Sequence, residues 1–136
     1  MGYMTDGLTF NTLRGGNIAR LPEFRNNKGE ISHLQADGSD WSLNDWLTAV
    51  CGELGEAANI LKKIRRGDLT LEEARPILAQ EFADVNIYLD ILAARAGIDL
   101  GQAVMETFNT KSVKVNSRVR LAADDWHFVS IPKEEI

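Results

Sequence analysis

Cysteine is nearly absent from this chain of 136 residues: the single Cys51 rules out an intrachain disulfide. Its place in an apolar helical run predicts a core thiol rather than a nucleophile. Histidine is scarce as well. With only His33 and His127, and no second cysteine, a structural zinc site lacks ligands. No apolar run approaches the roughly 18 residues that span a bilayer. The first residues do not read as a secretory signal, so the expectation is a cytoplasmic protein without a membrane partner. Positive charge is in deficit, with 15 Lys and Arg against 20 Asp and Glu and a net charge of −5. That argues against a nucleic-acid polymer as partner. A small polyanion remains possible, provided a cation joins the like charges. Alternation of period two is almost missing before the C-terminal tail, which leaves an all-α class.

What is present is helical punctuation. Residues 5–20 read as a short, imperfect helix weakened by Gly15 and Gly16, and Asn26 to Ser39 as a loop. Asp40 or Ser42 can cap a helix over residues 43–66, whose apolar stripe is Leu43, Trp46, Leu47, Val50, Leu54, Ala57, Leu61 and Ile64. Lys62, Lys63, Arg65 and Arg66 suit its C-terminus, and Gly67 ends it. Thr70 opens a third helix that continues to Ala96, with Pro76 predicting a kink or a short preceding turn. Asp99 caps a fourth, to about Asn116. The domain expectation is one helical body over residues 1–116 and a tail over 117–136. The tail carries Trp126, Phe128, Val129 and Ile131, and is expected as a short extended segment docked on the body or on a neighbouring subunit.

Two carboxylate pairs break the apolar stripes. Glu53 and Glu56 lie in AVCGELGEAANILKKI, and Glu81 and Asp84 in ILAQEFADVNIYLDIL. Residues three apart share a helical face. Glu53 flanks the stripe around Trp46 and Ile60, while Leu78, Val85 and Tyr88 bracket Glu81. A lone ExxE is most often a solvated face. Burying unpaired carboxylates costs on the order of 3–5 kcal/mol, so repeating it calls for a compensating cation. Arginines could serve, but the cations cluster at helix ends. An all-oxygen set suits Mg²⁺, with Mn²⁺ as substitute. A di-iron bundle would want Glu-x-x-His pairs, and neither histidine follows a Glu by three residues.

The ordered set ExxE, linker, ExxD resembles the MazG-like nucleoside triphosphate pyrophosphohydrolases of the all-α NTP pyrophosphatase superfamily, over about residues 8–115. FNTLR near the start and FN-x-x-S at residues 108–112 resemble the phage and bacterial branch, which would act in a cell's cytoplasm. The resemblance implies a bundle of four to five helices completed by homo-oligomerisation, as a dimer or dimer of dimers. It implies cleavage of a nucleoside triphosphate to the monophosphate and pyrophosphate, adjusting a nucleotide pool. Glu53, Glu56, Glu81 and Asp84 would ligate Mg²⁺, with Glu53 or Glu56 also acting as general base. Asn109, Lys111 and Lys114 would hold the phosphates. Thr107 departs from the pattern, since relatives often carry Lys there. Lys63 is a weaker phosphate candidate.

On the base side, Asn11 and Arg14 could read a base edge. Asn44 and Trp46 lie in segments similar to the base-side wall, though Trp46 has the spacing of a packing residue. Trp41 and Trp126 are read as packing, Asp90 as a solvated or paired charge. A purine such as dGTP is the expected substrate, with dCTP, dUTP or phosphoribosyl-ATP as alternatives. The rival from another class is a non-catalytic helical interaction module, its carboxylates paired with a partner's arginines. That rival predicts no metal dependence.

Overall fold

The computed structural model describes residues 7–33, 35 and 37–122, and the backbone of 125–130. Each long helix starts where a side chain can satisfy its first amides. In α1, Phe10–Arg20, Thr9 and Thr12 exchange side-chain and backbone hydrogen bonds. The helix therefore starts later than the sequence suggested. A short 3₁₀ turn, Leu21–Glu23, follows it. Ser42 and Asp45 form the same reciprocal cap on α2, Leu43–Arg65, as do Thr70 and Glu73 on α3, Leu71–Arg95. Asp99 accepts the Gln102 amide at the head of α4, Leu100–Lys114. Gly67 and Gly97 follow α2 and α3 at φ of +84° and +72°, a left-handed geometry that closes a helix and that a side chain would resist.

Helix α3 runs through Pro76 as one element, where a separate turn was a possibility. Proline withholds one bond from the carbonyl of Glu72. Glu72 is exposed, so water can serve that oxygen.

The chain divides into two compact units, one ending at Gly97 and one beginning at Ile98. In the first, α2 and α3 pack as an antiparallel pair with an apolar layer at each end. Leu21, Trp46 and Ile91 form one layer, edged by Phe24, Trp41, Ile87, Tyr88 and Leu92. Ala57, Ala74 and Leu78 form the other, edged by Ile60, Ile64 and Leu69. Trp46 is only 1% exposed, and burying a side chain of that kind stabilises by roughly 1.5–3 kcal/mol. Its indole N–H donates to the Gly38 carbonyl at 3.3 Å. Gly38 sits so close that an added Cβ would lie 2.7 Å from Leu21 and 3.0 Å from Trp46. The loop before α2 thus lies directly on the core.

Helix α1 is fixed to α3 by a buried charge. Asp90, 1% exposed, accepts the Arg14 Nε–H with both oxygens at 3.2 Å and the Asn17 amide at 3.0 Å.

Two expectations about α2 are corrected. The stripe is not buried as a whole: Leu43, Leu47, Leu54 and Leu61 are 46–50% exposed. A 3.6-residue period lets two overlapping apolar stripes share one helix, and α3 covers only the one centred on Trp46, Val50 and Ala57. Cys51 belongs to the uncovered side and is exposed, not a core thiol.

In the second unit, α4 packs against β1, Val119–Ala122, which pairs antiparallel with β2, Asp125–Ser130. The register pairs Val119 with Ser130 and Leu121 with Phe128, with an irregularity before Ala122. Asn109 of α4 treats Leu121 as a strand would. Its amide donates to the Leu121 carbonyl at 3.0 Å and its oxygen accepts the Leu121 N–H at 2.8 Å. Ile131 lies outside the described residues, as do the side chains of Trp126, Phe128 and Val129. Among the described residues the class is all-α apart from this hairpin, and no helix is long and apolar enough to cross a membrane.

Candidate functional site

Between the two apolar layers of the α2–α3 pair lies a layer of carboxylates. Going up α2, Glu53 and Glu56 fall between Val50 and Ala57. Going up α3, Glu81 and Asp84 fall between Leu78 and Ile91. The helices meet antiparallel, so the two pairs are placed opposite each other. One carboxylate oxygen from each of Glu53, Glu81 and Asp84 lies within 4.8 Å of the others. Glu56 lies outside that group, but Glu81 beside it raises its proton affinity.

No described ion pair involves any of the four residues. Glu81 Oε2 is buried with no hydrogen-bond partner, a costly state for a carboxylate oxygen. The repulsion shows in the proton affinities. The Glu81 carboxyl is pushed above the usual glutamate range, first by its hydrogen bond with Glu53, then by burial and by the charges of Glu53 and Asp84; its bond with Glu56 pulls the other way. Glu56 is raised by its bond with Glu81, then by the charges of Glu81 and Asp84. Oxygen-only donors around an unserved carboxylate oxygen fit a hard divalent ion such as Mg²⁺ or Mn²⁺.

A stability prediction follows from the sign of these shifts. Raised folded-state pKa values mean that the native protein holds protons the unfolded chain has released, above the ordinary glutamate value of 4.5. Stability of chelator-treated protein should therefore fall as pH rises through that window and recover as pH drops back. Thermal melts in EDTA from pH 7.5 to 5 check this. The wild type should gain melting temperature relative to Glu81→Gln on acidification; parallel profiles would refute it.

The other sequence candidates lie on α1, on α2 and, in the second unit, on α4. Arg14 is engaged with Asp90, so it serves as an anchor of α1. Asn11 is exposed on the same helix. Trp46 is enclosed and stacks on His33, with ring centroids 5.2 Å apart, so its surroundings describe packing and offer a base no face. Asn44 is exposed, its carbonyl accepting the Thr48 hydroxyl. Lys63 is exposed near the end of α2. In the second unit Lys111 and Lys114 are exposed on α4, and Asn109 is occupied with the backbone of Leu121. A phosphate role for Asn109 would have to use the one amide hydrogen that this clamp leaves over.

Two features escaped the sequence reading. Tyr88, noted there only as a neighbour of Glu81, is half-buried. Burial raises its phenol's pKa first, and the charges of Glu53 and Asp84 raise it further, so the phenol stays neutral near the carboxylates. Its spacing of four from Asp84 was the available signal. The second is an open depression of about 400 Å³ lined by Trp41, Asp45, Thr48 and Ala49. Set against models of protein families, curated proteins and solved structures, the chain matches none of them.

Proposed function

We propose that this chain is a MazG-like, Mg²⁺-dependent pyrophosphohydrolase that cleaves a deoxynucleoside triphosphate to the monophosphate and pyrophosphate. The observation that carries the reading is the carboxylate layer with its unpartnered Glu81 oxygen, set where an ordinary helical pair would place apolar side chains. Glu53, Glu81 and Asp84 would hold the ion. Bound there, Mg²⁺ would neutralise charge on the phosphates and make a nearby water more acidic.

The chain's own residues supply the rest. Glu56 lies outside the group of three whose oxygens converge and is exposed, which suits a proton acceptor. Water attacks the α-phosphorus and gives its proton to the Glu56 carboxylate. The bond from the α-phosphorus to the bridging oxygen breaks, and pyrophosphate leaves with that oxygen. The Tyr88 phenol stays neutral near Glu53 and Asp84. Lys63, in the same unit as the carboxylates, is the cationic candidate for the phosphate tail. The test is pyrophosphate release from a panel of NTPs and dNTPs with Mg²⁺, Mn²⁺ or EDTA. Turnover of one or a few substrates, abolished by EDTA, supports the reading. Hydrolysis of phosphoribosyl-ATP alone would move it to that rival, and inertness throughout would favour an interaction module.

Self-association belongs to the same proposal. Leu47, Leu54 and Leu61 recur every seven residues on the uncovered side of α2, a spacing suited to a helical partner. Replacing Leu47 and Leu54 together by Lys should convert an oligomer to monomers in sedimentation experiments. Because Cys51 lies between them on that side, its thiol should react faster in the variant. A wild type that is already monomeric would sink this part.

A further inference from the structure

The depression at the head of α2 has a chemistry the carboxylate layer does not explain. Its floor is Trp41, half-buried and braced by Trp46 and His33 at ring-centroid distances of 4.6 and 5.1 Å. Its polar lining consists of acceptors. Asp45 takes the Ser42 N–H on Oδ2 at 2.8 Å, which leaves the carboxylate with capacity to accept more. The Thr48 hydroxyl donates its hydrogen to the Asn44 carbonyl at 2.8 Å, so it too faces outward as an acceptor.

Placement ties this depression to the carboxylates. Asp45, Ala49, Glu53 and Glu56 fall within about 80° of arc on α2, and Asp45 lies two turns, roughly 12 Å, from Glu53. That is about the reach of a nucleotide from the edge of its base to its α-phosphate.

We infer that the Trp41–Asp45–Thr48 depression is the base subsite of the proposed nucleotide site, and that the base it selects is guanine. This rests on the reading of the carboxylate layer as the phosphate end. An aromatic floor accepts any base by stacking, so selection falls to the acceptors. Guanine alone among the common bases presents two adjacent donors, N1–H and the 2-amino group, which match the two oxygens of one carboxylate. Adenine and cytosine offer one amino donor beside a ring nitrogen that the carboxylate repels. Thymine and uracil offer one N–H between two carbonyls.

The test pairs turnover with binding. In turnover, wild type should prefer dGTP, and dITP, which lacks the 2-amino group, should fall about 10-fold in kcat/KM. Asp45→Asn keeps an oxygen for the Ser42 amide but presents an amide to the base; it should lower the dGTP-over-dATP ratio about 10- to 100-fold. Thr48→Val, which leaves the cap alone, should lower it by less. In binding, dGMP added without metal should quench tryptophan fluorescence, and Trp41→Phe should abolish most of the quenching. A wild-type preference for another base, or a dGTP preference intact in Asp45→Asn, overturns the inference and leaves the hydrolase reading standing. Asp45-dependent binding of dGMP without turnover of any triphosphate sustains the subsite and sinks the hydrolase. Neither binding nor turnover sinks both.

Discussion

Glu81→Gln is expected to abolish metal-dependent turnover while making the metal-free protein more stable. The two effects have one cause. Glu81 is crowded by the carboxyl groups of Glu53 and Asp84, which raise its proton affinity, and carries a buried oxygen with no donor. An amide in its place removes a negative charge from the cluster and supplies two N–H donors to the neighbouring carboxylates. The same change deprives a divalent ion of a charged ligand. A drop of at least about 100-fold in kcat/KM is expected, on the scale of losing one major electrostatic contribution to the transition state. The check is a pair of measurements on one preparation: melting temperature in EDTA, and turnover in Mg²⁺. Added Mg²⁺ should raise the melting temperature of the wild type by linkage, and that of the variant much less. A variant that melts earlier in EDTA would mean the carboxylates support the native fold by themselves.

Arg14→Ala is expected to be the most damaging single substitution to the fold among the charged residues of α1. Asp90 is 1% exposed and takes Arg14 with both oxygens and Asn17 with one. Removing the guanidinium strands a buried negative charge, with a loss of about 3 kcal/mol, at the lower end for a broken buried pair because Arg14 is partly exposed. Urea unfolding measures it. The double variant Arg14→Met with Asp90→Leu should recover much of the loss, because an apolar pair of similar volume avoids the desolvation of both charges. If the double variant is as unstable as the single, packing of the Arg14 stem rather than charge pairing is what ties α1 down.

The contrast between Asp90 and Asp84 marks what a sequence can tell. Both lie on α3; spacing puts Asp84 in a carboxylate pair, whereas the sequence alone reads Asp90 only as a solvated or paired charge. Helix caps, helix ends and the all-α class were legible because they depend on local chemistry: Ser42, Thr70 and Asp99 act within three residues of themselves. The carboxylate layer was legible because two i, i+3 pairs on apolar stripes imply a shared neighbour. Partners across the fold were not. Nothing near Arg14 in sequence points to Asp90, 76 residues away. Asn109 likewise carried no sign that its amide would stand in for a strand against Leu121. The exposed leucines show another limit, because periodicity identifies apolar stripes without saying which of two overlapping stripes a neighbour will cover. The depression at Trp41 depends on where a loop lies over α2, a feature without periodicity at all.

The most direct test of the central claim is to incubate the protein with Mg²⁺ and dGTP in ¹⁸O-labelled water and read the products by ³¹P NMR, with a panel of other dNTPs alongside. The account predicts monophosphate and unlabelled pyrophosphate, with the label on the monophosphate, and no reaction in EDTA or with Glu53→Gln. Diphosphate and inorganic phosphate as products, or turnover that survives the loss of Glu53, would contradict it.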